Sequence, residues 1–295
     1  MKIERKQNII NVAINEYLNT PEIVRSLTKL GRKYGIKRQT LAKHLKERNI
    51  EIINQQNRCQ VDENIFNIID TEEKAYWLGF LYADGNISSI GNRLELNLAL
   101  KDLDHMIKFK NFLKYDGDIR LETNKGLGTD ICRFSVRNKN IWNQLNSKGC
   151  IPCKSLILQF PNLSIFTKKV LVYDFIRGYV DGDGSLGIYT TKNSSKPELS
   201  ILGTESFLKT LQEVLNIKGY IRNKSTKNYE NKAFEIKFSS LSARKVAHLL
   251  YNNATIYLTR KYNIYKLFCQ LEEESSRRKS SKIGKRWDAN TEVTN

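Results

Sequence analysis

The sequence predicts an α+β protein in which a small helical segment precedes two similar halves, each running helix, strand, strand, helix, strand, strand, helix. Three observations carry this. An apolar helix recurs, as AYWLGFLYADG from Ala75 to Gly85 and as YDFIRGYVDGDG from Tyr173 to Gly184. After each copy the chain alternates apolar with polar residues, the period of a half-buried strand, and then returns to helical spacing. Before the first copy, residues 1–50 hold twelve Lys and Arg against four acidic residues.

Within that basic segment, residues 22–48 read as two short helices. Leu27, Leu30 and Tyr34 form one apolar face, Gly35 breaks it, and Ile36, Leu41 and Leu45 form the next, which is helix-turn-helix spacing. The second of these helices presents Lys37, Arg38, Gln39 and Lys43, residue types that suit base edges and phosphates. Residues 51–70 are polar and weakly patterned and read as a linker. Thr71 then caps the first repeated helix, with Glu72 and Glu73 in the first turn where the helix dipole favours anions.

Both repeated helices carry small residues four apart: Ala75, Gly79 and Ala83 in one, Gly178 and Gly182 in the other. Such strips let two backbones approach closely. Each strip stops at Asp-Gly, where the glycine is expected to supply a left-handed turn. Packing the strips together places Asp84 and Asp183 side by side at the carbonyl ends of two helices, and two such anions repel unless a cation lies between them.

The strands follow. Leu94, Leu96, Leu98 and Leu100 alternate with Arg93, Glu95, Asn97 and Ala99; Cys132, Phe134 and Val136 alternate with Arg133, Ser135 and Arg137. In the second half Phe234, Ile236 and Phe238 alternate with Glu235, Lys237 and Ser239. These patterns predict antiparallel sheets with one polar face, and Arg93, Arg133, Arg137, Lys192 and Lys237 are its candidate nucleic-acid contacts.

The 295 residues hold 49 Lys and Arg against 31 Asp and Glu, a net charge of +18. That balance favours a polyanionic partner, since each neutralised phosphate releases counterions. No apolar run suits a membrane span, the N-terminus lacks a signal-peptide core, and no long basic amphipathic helix suggests a membrane surface, so a soluble intracellular protein is expected. Five cysteines, an odd number, fit a reducing compartment, and Cys150 and Cys153 read as small packed residues. The expected organisation is residues 1–50 as the helix-turn-helix-like segment, 51–70 as linker, 71–165 and 166–271 as the two halves, and 272–295 as a basic, disordered tail.

The paired motifs, WLGFLYADG from Trp77 to Gly85 and IRGYVDGDG from Ile176 to Gly184, resemble those of the LAGLIDADG homing endonuclease family. The resemblance covers residues 71–270, and the first copy departs from it by carrying Tyr82 where the second has Asp181. It implies two pseudo-symmetric αββαββα halves in one monomeric chain, forming a saddle over double-stranded DNA. It implies that Asp84 and Asp183 are catalytic and bind Mg²⁺ or Mn²⁺ with the Ala83 and Gly182 carbonyls, each aspartate serving one scissile phosphate. Lys154 and Lys261 match the family's active-site basic residue, although Arg260 fills that position equally well. Asp102 and Glu205 loosely match acidic or amide residues that complete such sites. The implied activity is metal-dependent double-strand cleavage at a long asymmetric target. The alternative is a DNA-binding regulator or an intron RNA maturase, with host intron RNA as partner; retention of both aspartates favours the enzyme.

Overall fold

The computed structural model describes residues 2–20, 26–52, 59–123, 129–191, 194–224 and 233–273. Lys192 and the tail from 274 onward lie outside these residues, as do 22–25 of the first expected helix and 53–58 of the expected linker.

The chain forms two compact units, one of Met1–Val61 with Lys114–Gly117 and the other of Asp62–Leu113 with Asp118–Asn295. The first unit is built from α1 (Lys2–Asn19), α2 (Leu27–Tyr34) and α3 (Arg38–Glu47). Sequence reading found α2 and α3 but not α1, whose Ile10, Ala13, Ile14 and Tyr17 complete a core with Leu27, Leu30, Leu41 and Leu45. Ser26 caps α2 by accepting from the Lys29 N–H at 3.3 Å, and Gly35, at φ 66°, makes the left-handed turn toward α3. Glu16 of α1 pins α2 by accepting from the Lys33 ammonium at 2.7 Å.

In the second unit the order αββαββα occurs twice. The first half comprises α4 (Glu72–Ala83), β1 (Gly85–Ser88), β2 (Arg93–Ala99), α5 (Leu103–Phe112), β3 (Arg120–Glu122), β4 (Ile131–Arg137) and α6 (Lys139–Ser147). The second comprises α7 (Leu171–Asp183), β5 (Gly184–Thr191), β6 (Ser194–Gly203), α8 (Glu205–Leu215), β7 (Tyr220–Asn223), β8 (Phe234–Ser239) and α9 (Leu241–Tyr251), and residues 259–273 add α10. Each half is one antiparallel four-stranded sheet, ordered β1-β2-β4-β3 and β5-β6-β8-β7. The registers correspond, Gly85 pairing with Leu96 as Gly184 pairs with Ile201. Leu94, Leu96, Cys132 and Phe134 turn one face of the first sheet into the core, and Leu199, Ile201, Ile236 and Phe238 do so in the second.

The core of this unit centres on α4 against α7. A Cβ at Gly79 would collide with the Phe175 carbonyl and one at Gly178 with the Tyr76 carbonyl, so the two backbones touch where the small-residue strips cross. Among the described residues no helix is long and apolar enough to cross a membrane.

Three expectations need correction. Residues 62–70, read as linker, are packed: Phe66 and Ile69 are fully buried and Ile65 nearly so. Their apolar side chains were masked by polar neighbours that offered no periodicity. Gly184 is extended, at φ −92° and ψ 164°, and Gly85 is not left-handed either. Glycine is required there because a Cβ would lie 2.6 Å from the Leu81 carbonyl oxygen at Gly85 and 2.5 Å from that of Val180 at Gly184. Cys150 is buried as expected, but Cys153 is exposed, at φ 53°, on the turn that leads to Lys154.

Candidate active site

The contact of α4 with α7 fixes where their last residues fall. A Cβ at Gly182 would meet the Ala83 side chain and lie 3.4 Å from the Asp84 carboxyl carbon and one of its oxygens. The Asp84 carboxylate therefore rests against the last turn of α7, one residue from Asp183. Burial pushes the Asp84 carboxyl up to about 6, and the charge of Asp183 adds to the push. Dense protein surrounds that carboxyl, yet Asp84 keeps an exposed surface, and water on the open side tempers the effect. Burial also raises Asp183, against the pull of Lys154, Lys261 and the Tyr179 hydroxyl.

The two lysines converge on this pair from below. Lys154, half-buried, donates to the Gly85 carbonyl. Lys261, 4% exposed, donates to the Val180, Asp181 and Gly184 carbonyls at 2.6, 2.7 and 2.6 Å, and to Gly182 at 3.3 Å. Gly85 and Gly184 are equivalent in the two motifs, so Lys261, rather than Arg260, stands where Lys154 stands. Four carbonyls engage every proton of an ammonium, which makes Lys261 a lock on the end of α7. Burial lowers its pKa to about 8, with Asp181 opposing, and leaves it charged at neutral pH.

Asp181, the aspartate missing from the first motif, is buried and accepts from the Tyr76 hydroxyl at 2.7 Å, the Tyr251 hydroxyl at 2.6 Å and the Leu258 N–H at 2.6 Å. Burial raises its carboxyl while Lys261 and these donors draw it down. Tyr82, its counterpart, donates to the Lys148 carbonyl instead. Arg177 is a second buried ion. It reaches Glu72 at 2.7 Å, Asp174 at 2.8 Å, and the Leu250 and Ile256 carbonyls at 2.9 Å. Sequence reading missed Arg177, Tyr76 and Tyr179, since a polar residue on an apolar helix gives no sign of its partner.

Of the remaining candidates, Asp102 accepts from the Arg260 Nε at 3.1 and 3.2 Å. Glu205 is exposed and paired with Lys209 at 2.7 Å, a surface i,i+4 pair. On the polar face of the first sheet Arg93 stands opposite Arg137, and Arg133 opposite Arg120. Glu95 reaches Arg93 at 3.3 Å and Glu122 reaches Arg133 at 3.2 Å. In the second sheet Lys237 pairs with Glu198 at 2.9 Å. Lys37, Arg38, Gln39 and Lys43 are exposed at α3, with Lys37 at its N-cap.

No three His, Cys, Asp or Glu side chains cluster at metal-binding distance among the described residues. The oxygen donors at the ends of α4 and α7 are the carboxylates of Asp84 and Asp183 and the last helix carbonyls. They are hard oxygen ligands and fit a magnesium-type ion that takes its other ligands from phosphate and water. The Gly182 carbonyl shares its acceptor capacity with Lys261.

Residues 176–271 match the family model described as LAGLIDADG endonuclease, in keeping with the resemblance of the two motifs. Among solved structures the chain is similar to the I-LtrWI LAGLIDADG homing endonuclease bound to target DNA. That likeness has 13% identity, 72% of this chain and 92% of the other covered, and a TM-score of 0.45. It is also similar to the I-AabMI LAGLIDADG meganuclease bound to uncleaved DNA, at 11% identity, 69% and 91% covered, and a TM-score of 0.47. No curated protein matches the chain.

Proposed function

We propose that this chain is a LAGLIDADG-type site-specific DNA endonuclease that hydrolyses both strands of a long asymmetric duplex. The observation that supports this most is the seating of the Asp84 carboxylate against Gly182, one residue from Asp183. A folding protein gains nothing from two crowded carboxylates, each pushed toward its neutral form, unless a cationic ligand and an anionic substrate repay the cost.

Asp84 and Asp183 would hold Mg²⁺ or Mn²⁺, with the Ala83 carbonyl and part of the capacity of Gly182. An ion held there would supply Lewis-acid polarisation of the phosphate and a more acidic water. The rest is the work of the chain. The glycine crossing of α4 and α7 sets the separation of the carboxylates, and Lys154 and Lys261 fix the backbone turns beneath them. On the first sheet Arg93 faces Arg137 and Arg133 faces Arg120, with Glu95 and Glu122 each pairing one member, so a phosphate backbone laid across this face would compete with those two carboxylates for the arginines. Two unlike sheets read two unlike half-sites, and the exposed basic residues of α3 add a further contact with duplex DNA.

The test is cleavage of a bound duplex with Mg²⁺ by the full chain and by Asp84→Asn and Asp183→Asn. Each variant should stay folded and bind with little loss while failing to cut the duplex through. Full double-strand scission by either variant, or scission by the unaltered chain in EDTA, would overturn the proposal.

A further inference from the structure

The cations around the two carboxylates do not share the symmetry of the helices. The residue before Lys261 is Arg260, whereas the residue before Lys154 is Cys153. Arg260 is 47% exposed in its side chain, and its Nε is gripped by both oxygens of Asp102, a residue of the other half that is only 10% exposed. Thr259 repeats the attachment by donating to Asp104 at 3.1 Å. Two consecutive residues at the start of α10 are thus pinned to the start of α5, while Lys261 is turned inward. Among the described residues nothing but Asp102 bonds to Arg260, so both of its terminal nitrogens stay available. The ammonium of the next residue, Lys261, reaches the Gly182 carbonyl at 3.3 Å, and the Asp84 carboxyl lies against that same glycine, so the turn that carries Arg260 borders the Asp84 carboxylate.

A guanidinium held at Nε presents its outer edge as a two-pronged donor, the geometry that matches two phosphate oxygens. Lys261 cannot do this with its protons spent on carbonyls, and Cys153 offers no cation. Resting on the endonuclease reading above, we propose that Arg260 binds the scissile phosphate served by Asp84, that Asp102 is its positioning residue supplied by the opposite half, and that the two strands are consequently cut at unequal rates. Anchoring by Asp102 removes rotamer freedom in advance, so the donors meet growing charge on the phosphate without reorganising.

The experiment uses a duplex recovered from random-sequence DNA by binding to the full chain, labelled with a different dye on each strand and incubated with Mg²⁺. The unaltered protein should build up an intermediate nicked in one strand. Arg260→Ala should slow that strand by about tenfold or more and the other by less than about twofold. Asp102→Ala should slow the same strand, and the double variant should be no slower than Arg260→Ala. Arg260→Lys should rescue only part of the loss, because a point charge lacks the fork. Asp102→Asn keeps an acceptor oxygen for Nε and serves if the alanine variant melts early. Equal slowing of both strands, or lost affinity with an unchanged rate of cutting when bound, would reduce the pair to a tether between halves and overturn the proposal. If the unaltered protein binds but cuts neither strand with Mg²⁺ or Mn²⁺, the endonuclease reading itself fails and takes this inference with it.

Discussion

Lys154 and Lys261 occupy equivalent turns of the two halves, but one meets a single carbonyl with part of its side chain in water, and the other is buried under four. The contrast extends around them. Where the second half has Arg177 and Asp181, the first has Leu78 and Tyr82. Where Asp102 at the start of α5 takes a guanidinium from the second half, Thr204 at the start of α8 donates a neutral hydroxyl to the Leu158 carbonyl at 2.6 Å. One backbone plan is thus filled twice, once with an ionic core and once with an apolar one. Symmetry of topology fixes where the carboxylates meet, and the asymmetry of the supporting charges decides how firmly each half holds its own.

The largest expected effect tests what the halves share. Gly79→Ala and Gly178→Ala each drive a methyl group into a backbone carbonyl of the facing helix, so both should cost more than about 3 kcal/mol by urea unfolding. Gly187→Ala, with nothing near its added Cβ, should change stability by less than about 1 kcal/mol. A mild effect at Gly79 beside a severe one at Gly178 would mean that the crossing is not the symmetric element described here.

A smaller effect tests what the halves do not share. Lys261→Ala strands several carbonyls and leaves Asp181 without its cation, which should cost about 3 kcal/mol. Lys154→Ala loses one partly exposed bond and should cost about 1 kcal/mol or less. Cleavage by Lys154→Ala can then be measured on a folded protein, whereas Lys261→Ala should report mainly on stability. Equal unfolding midpoints for the two variants would erase the distinction.

The fold was readable because its signals are local and repeated. Period-two strands, the small strips of α4 and α7 and the Asp-Gly stops each occur twice, and the second occurrence turns a degenerate pattern into a specific one. The partners that lock the site were not readable. Glu72 looked like a residue placed for the helix dipole, yet it also accepts from Arg177 and from the backbone and hydroxyl of Thr255, 183 residues away. Lys261 and Arg260 could not be told apart by spacing. What separates them is which way each side chain faces once α10 begins, and that depends on Asp102, Asp104 and the carbonyls of α7. Long-range pairing of buried polar groups leaves no periodic trace, so the sequence pointed to the carboxylates and, through the motif resemblance, to Lys154, Lys261, Arg260 and Asp102, but not to Arg177, Tyr76 or the partners of Glu72.

The smallest effect concerns the cost that the carboxylate pair imposes on the fold. Burial, with the charge of Asp183 adding to it, pushes the Asp84 carboxyl up to about 6 from an ordinary value of 3.8, so the folded state binds its proton more tightly than the unfolded state does. Stability contributed by this group is therefore present at low pH and is lost as pH rises from about 4 through about 6. Asp84→Asn removes the titration. Without divalent ions the variant should be more stable than the unaltered chain at about pH 7.5, by on the order of 1 kcal/mol once solvent screening is allowed for, and the gap should close toward about pH 4. Adding Mg²⁺ should narrow the gap at neutral pH by stabilising only the protein that keeps both carboxylates. Thermal melts across pH, with and without Mg²⁺, measure both. A variant less stable than the unaltered chain at neutral pH would show that Asp84 is held by bonds that outweigh its repulsion from Asp183, and that the two halves meet without strain.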